Sequence, residues 1–187
     1  ARVAADFAAC LFDPETTNAW RLPVWSRSRE PKRSVDFYKQ FALVSSESPS
    51  DVERGLFEEL KSLGVLSVFH KLLDRRVRGR GSSPTHLAGE IMNDDFYIRE
   101  NGLRYLVSFK EGYSTGLFLD QRENRFDLSR WCGHHPGADV LNVFAYTCGF
   151  SVAAAAAGAR TTSLDLSTKY LDWGKKNFAA NKLPLDG

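Results

Sequence analysis

The chain has 187 residues, 43% apolar and 26% charged, with a formal net charge of +2. This length holds one sizeable domain or two small ones, and the balance is that of a globular protein, not a disordered or fibrous one. No apolar run approaches the roughly 20 residues that cross a bilayer, so no membrane partner is expected. Ala1 to Cys10 lacks the positive start and long apolar stretch of a secretory signal. A nearly neutral chain gives no global argument for a polyanionic partner, so any such argument rests on local clusters. The three cysteines, Cys10, Cys132 and Cys148, are odd in number and form no Cys-x-x-Cys, which favours a reducing compartment over a disulfide framework. The cytoplasm is the expected location. The alternative is an organelle, reached through a targeting segment removed ahead of Ala1.

Residues 1–34 read as an irregular segment, because Leu22 to Arg33 combines Pro23 and Pro31 with arginine, lysine and serine. Residues 35–110 read as a smaller α+β domain. Within it, Val52, Leu56, Phe57, Leu60 and Leu63 share one face at helical period. Ser50 or Asp51 is placed to cap that helix, and Gly64 to end it. Val65 to His70 reads as a short strand. Phe96, Ile98, Leu103, Tyr105, Val107 and Phe109 nearly alternate with polar residues on either side of Asn101-Gly102. This pattern predicts an antiparallel hairpin.

Residues 111–187 change pattern. Asp139 to Tyr146 is nearly continuous apolar sequence, as in a strand buried on both faces. A small-residue helix follows from Gly149 to Ala157, with Gly158 as its stop. Arg160 to Leu166 is a second strand, and Ser167 to Asn181 a second helix. A strand-helix-strand-helix series of this size implies a parallel pair with a right-handed crossover. The fold class is therefore α/β and Rossmann-like, preceded by a smaller α+β region.

The junction Val140 to Ser151 carries the chemistry. A strand running through a glycine-containing turn into a helix start gathers free amides beside the positive helix end, where an anionic or polar cofactor group fits. Asp165 follows Asn142 by about 20 residues, at the end of the next strand, the spacing at which an acid in doubly wound folds accepts from ribose hydroxyls. Strand, turn and helix also serve as plain scaffold elsewhere, and Asp165 is equally placed to cap the helix starting near Ser167. The two features together favour a nucleotide-like cofactor. Gly-x-Gly-x-x-Gly is absent, which argues against a nicotinamide.

Three segments carry a resemblance. Thr115 to Arg125 (Thr-Gly-Leu-Phe-Leu-Asp-Gln-Arg-Glu-Asn-Arg), Val140 to Ser151 and Ser163 to Ser167 together resemble the ribosomal-RNA large subunit methyltransferase I family of class I S-adenosyl-L-methionine-dependent methyltransferases, truncated here. The likeness covers about residues 96 to 187. That family makes 5-methylcytosine in RNA; the similar K/L type modifies guanine. The resemblance implies S-adenosyl-L-methionine as cofactor and RNA, ribosomal in particular, as partner. It places Thr115, Phe118, Asp120, Gln121 and Arg122 in the segment closing over the cofactor. Asn142, Phe144, Tyr146, Gly149 and Phe150 fall in the first cofactor loop, Asp165 is the ribose-binding acid, and Leu166 and Ser167 are adenosine-side neighbours. Asn181-Lys182-Leu183 stands where the family usually has Asn-Gly-Leu.

Cytosine methylation at carbon 5 needs a thiolate nucleophile. Cys148 sits in the cofactor loop and reads as a small residue in tight packing, so catalytic groups are expected downstream of Gly187 and this chain alone is expected to be inactive. Alternatives are a non-catalytic RNA- or cofactor-binding remnant and a small-molecule methyltransferase. Arg75, Arg76, Arg78 and Arg80 form a basic run suited either to RNA phosphates or to a solvated loop. Asp120, Arg122 and Arg125 also suit a structural salt-bridge network. His134-His135 lacks partners at metal-ligand spacing, so no metal is expected. Trp20, Trp25, Trp131 and Trp173 read as packing anchors.

Overall fold

The computed structural model describes residues 13, 15–22, 34–47, 54–73, 84–91, 95–110 and 114–185. Strands β1 (Ala19–Leu22), β2 (Ser34–Tyr38), β3 (Phe41–Ser46), β4 (Ser67–Leu72) and β5 (Thr85–Gly89) form one sheet in that order. Only β3 and β4 pair in parallel. A parallel pair needs a crossover, and helix α1 (Arg54–Ser62) lies within it. Gly64 ends α1 in a left-handed conformation (φ 83°), with Val65 N–H returning to the Leu60 carbonyl.

Every residue of β3 is buried. Successive side chains leave a strand on opposite faces, so Ala42 and Val44 join Leu60, Val65 and Val68 on one side. Phe41 and Leu43 join a second cluster on the other side, which runs through Ile98, Tyr105 and Leu117 to Ala145, Cys148, Val152 and Phe178. That second core joins the five-stranded sheet to the C-terminal part of the chain.

The hairpin forms as expected from β6 (Phe96–Glu100) and β7 (Leu103–Val107). Asn101 and Gly102 take φ of 51° and 81°, the positive angles of a two-residue turn. A 3₁₀ turn (Leu119–Gln121) leads into α2 (Arg122–His134), followed by β8 (Asp139–Val143), α3 (Gly149–Ala156), β9 (Arg160–Leu164) and α4 (Thr168–Ala180). β8 and β9 are parallel, in register from Asp139↔Arg160 to Val143↔Leu164. Gly158 (φ 95°) follows α3 as anticipated.

Several expectations change. β1 lies within the segment read as irregular, held there by pairing with β2 and by Trp20 stacked on Phe37 at 4.3 Å. The cap residues Ser50 and Asp51 lie outside the described residues, as do Arg75, Arg76, Arg78, Arg80 and Trp25. β8 is not buried on both faces: its residues alternate exposed and half-buried, with Leu141 62% and Val143 53% exposed. Its inner face packs on α3, and nothing among the described residues covers the outer one. Trp131 is half-exposed and stacks on His135 (4.2 Å) instead of anchoring the core.

Candidate cofactor site

The site is built at the carboxyl ends of β8 and β9. After Val143 the chain turns sharply through Phe144, Tyr146 and Cys148, at φ of 57°, 50° and 59°. Left-handed backbone costs a non-glycine residue roughly 1–2 kcal/mol, so three such residues in one turn must be held by their surroundings.

The holding groups are visible. Asp165 lies at the exit of β9, half-buried, and its two oxygens accept from Tyr146 N–H (2.8 Å) and Ser167 N–H (2.9 Å). Thr147 donates its hydroxyl to the Gly116 carbonyl. Asn177, fully buried on α4, donates to the Thr147 carbonyl (2.9 Å) and accepts from Leu106 N–H (2.8 Å). Tyr146 accepts at Oη from Gly116 N–H (3.0 Å), and its ring meets Phe118 and Tyr170 at 5.2 and 4.5 Å. Burial, then the nearby Tyr170, pushes the Tyr146 phenol well above its usual range.

The turn delivers the chain into α3. Its N-cap residue, Cys148, makes no side-chain cap, so the first-turn amides keep their capacity for an anionic group. Gly149 lets the helix start pack closely on Leu117: an added Cβ would meet Leu117 Cδ1 at 2.9 Å and that side chain would have to shift. Gly174 performs the same service for Cys148, whose Sγ would lie 2.4 Å from an added Cβ. The Cys148 thiol is buried and pushed up by that burial, which agrees with a small packing residue and not a nucleophile.

The predicted residues separate into two sets. Phe118, Tyr146, Asp165 and Ser167 gather around the turn, next to the start of α3 at Gly149. Phe144 and Leu166 flank it, 85% and 99% exposed, as open apolar surfaces. Asp165 is not itself the helix cap: Ser167 Oγ caps Tyr170 N–H, and Asp165 holds the amide of that cap residue. Thr115 instead faces the five-stranded sheet, hydrogen-bonded to Tyr38 (2.9 Å). Asn142 lies in mid-strand with its amide on Ser151 (2.9 Å), which also bonds Ser163 (2.7 Å) and so ties α3 to both strands. Phe150 lies under the Arg125 guanidinium (5.6 Å). Asp120, Gln121 and Arg122 stand on the 3₁₀ turn and the start of α2. There Gln121 bonds Asp120 and Asn124, and Arg122 pairs with Glu123 at 2.7 Å.

The sequence placed Arg125 in a salt-bridge network with Asp120 and Arg122; its partner is instead Glu100, while Arg122 pairs with Glu123. Arg125, 2% exposed, forms a two-pronged ion pair with Glu100 (2.7 and 2.8 Å) and donates to the Phe118 carbonyl (2.8 Å). One side chain therefore locks the hairpin, the Phe118 strap and α2 together. Asn181 bonds both backbone groups of Arg104, and Lys182 takes φ 57°, the conformation open to the glycine usual in the family.

A parallel β-α-β unit with a tight, uncapped turn at its carboxyl end and an acid beside it defines a Rossmann-like cofactor-binding protein. The family of S-adenosylmethionine-dependent methyltransferases matches residues 60–186, and the chain belongs to that family. Ribosomal RNA large subunit methyltransferase K/L from Alteromonas mediterranea is 46% identical over 163 residues, covering 80% of this chain and 22% of its own length. Ribosomal RNA large subunit methyltransferase K from Neisseria meningitidis is 37% identical, covering 74% and 39%. Among solved structures, a protein assigned as a SAM-dependent methyltransferase from Streptococcus mutans superposes with a TM-score of 0.78 at 31% identity, covering 99% of this chain and 48% of that one. A second, complexed with SAH, gives 0.79 at the same identity and coverage. The chain thus spans about half of these solved chains and 22–39% of these two curated relatives.

Proposed function

We propose that this chain forms the cofactor-binding part of a methyltransferase acting on ribosomal RNA, with the groups that hold and attack the target base in a part of the protein outside these residues. The observation that carries the reading is the Asp165 carboxylate fixed against the Tyr146 turn. It keeps lone pairs for ribose hydroxyls and stands beside a helix start with no side-chain cap. Asp165, with Leu166 and Phe144 as apolar walls, would hold the adenosine end, and the first turn of α3 the carboxylate end. S-adenosyl-L-methionine supplies an electrophilic methyl group on a sulfonium. The strap at Phe118, packed on the Tyr146 ring, would border the site on that side.

Support for ribosomal RNA comes from the relatives' names. For the target base, cytosine carbon 5 is the finer reading carried by the resemblance to the I type, and guanine the reading carried by the K and K/L relatives. Neither described cysteine offers a thiolate: Cys132 and Cys148 are buried and burial pushes both thiols up. Under the cytosine reading the nucleophile lies elsewhere in the protein. The arginine run at 75–80 is proposed to touch RNA; replacing its arginines is expected to lower RNA affinity and flatten the salt dependence. The reading is tested by incubating the full-length protein with methyl-labelled cofactor and unmodified ribosomal RNA, then digesting to nucleosides. Label in 5-methylcytosine or in methylguanosine identifies the base. Label in neither, with the cofactor bound, overturns the RNA assignment.

A further inference from the structure

Outside the cofactor site the hairpin carries an unusual charge arrangement. Arg99 and Arg104 are direct cross-strand partners on its outer face, where like charges oppose one another at a cost to the sheet. Lys39, at the β2–β3 turn, lines the same cleft of about 390 Å³, with Tyr97, Asn18 and Glu15. Its ammonium is lowered first by burial and then by the Arg104 and Arg99 charges. Glu15 answers only in part: it is 87% exposed and stands 3.6 Å from Arg99.

The cleft is also rigid. Asn18 accepts from Arg99 N–H at its side chain (2.7 Å) and from Lys39 N–H at its carbonyl (2.7 Å), so one residue fixes two of the three cation-bearing positions. Thr16 and Thr17 bond the amides of Gly102 and Asn101 at the hairpin tip. The Arg104 guanidinium lies 5.0 Å from the Tyr97 ring centroid, which orients it. Three cations line one cleft against one exposed carboxylate, the Arg99 guanidinium held by the Glu15 carbonyl (2.9 Å) and that of Arg104 by the Tyr97 ring, and they focus a positive potential that an anion would complete.

We propose that this cleft binds a backbone phosphate of the RNA substrate. The proposal rests on the ribosomal-RNA reading above and adds where that RNA is gripped. The inner face of the same hairpin supports the cofactor turn, with the Tyr105 hydroxyl 3.4 Å from the Gly149 carbonyl. A phosphate held outside and a methyl donor held inside are thus indexed to one rigid element. Such a contact positions the RNA without reading its sequence.

The test is fluorescence anisotropy of a labelled single-stranded RNA with the full-length protein across a salt series. Arg99→Gln with Arg104→Gln should weaken binding and flatten the slope of log affinity against log salt by about 0.7 for each phosphate no longer neutralised. Affinity for S-adenosylhomocysteine, measured on the same samples, should not change. Glu15→Gln should tighten RNA binding, a gain that misfolding cannot produce. An unchanged slope in the double variant, or no gain from Glu15→Gln, overturns the proposal while leaving the RNA reading in place. Failure of the unaltered protein to bind RNA overturns both. Displacement of RNA by inorganic phosphate at matching concentration assigns the cleft to a free anion and also overturns the proposal.

Discussion

Strands β3 and β8 are both short, apolar, parallel strands, each followed by a helix. Every residue of β3 is buried, whereas β8 alternates exposed and half-buried positions. Two ion pairs of the same two-pronged geometry repeat the contrast: Glu100–Arg125, between the hairpin and α2, at 2.7 and 2.8 Å, and Asp139–Arg160, between β8 and β9, at 2.8 and 2.9 Å. The first is sealed in the core and the second stands in solvent. A strand's composition sets what it can bury, but the elements stacked on it decide what it does bury. β3 is sandwiched between α1 and the hairpin. Among the described residues β8 has α3 on one side only, so Leu141, Val143 and Leu164 face outward from one sheet surface.

The largest expected effect lies in the sealed pair. Arg125→Met leaves the Glu100 carboxylate buried without its partner, which should cost about 3–5 kcal/mol in urea unfolding. Replacing Glu100 by leucine as well should recover much of that loss. Failure to recover would mean that Arg125 acts chiefly through the Phe118 carbonyl. Next come two leucines in matched strands. Leu43→Ala in β3 should cost about 2–5 kcal/mol, and Leu141→Ala in β8 no more than about 0.5 kcal/mol. Similar costs would show that β8 is covered in solution.

Titration sharpens the contrast from another side. Burial pushes the phenols of Tyr38 and Tyr105 well above their ordinary value. An unfolded tyrosine ionises near pH ~10, so the stability linked to these raised groups is complete below that value and is lost as pH climbs toward the folded one. The unfolding midpoint should therefore fall as pH rises above about 10, and less steeply in Tyr38→Phe. The smallest effect belongs to the exposed pair: Asp139→Asn should leave the unfolding midpoint where it was.

Much of this architecture was legible in sequence because it follows local rules. Asn101-Gly102 announced the hairpin, and Gly64 and Gly158 the ends of α1 and α3. What escaped notice depends on partners distant in sequence. α2 buries Arg125 and Cys132 rather than an apolar stripe, so periodicity does not reveal it. The β2–β3 hairpin turns through Lys39-Gln40, with Lys39 at φ 57° and no glycine to signal the turn. At the site, Asp165 and the turn could be read from spacing. Asn177, Gly116 and the Glu100 partner of Arg125 could not, because those contacts exist only once α4, the strap and the hairpin meet. Asn142 entered through the family resemblance, and its amide is engaged beneath α3.

The central claim is that the carboxylate beside the β8 turn grips the methyl donor. Calorimetry of S-adenosylhomocysteine binding to the full-length protein, unaltered and as Asp165→Asn, tests it most directly. Asp165→Asn is expected to lose at least about tenfold in affinity, or roughly 1.4 kcal/mol, with an unchanged unfolding cooperativity. Equal affinity in a folded Asp165→Asn protein would contradict it.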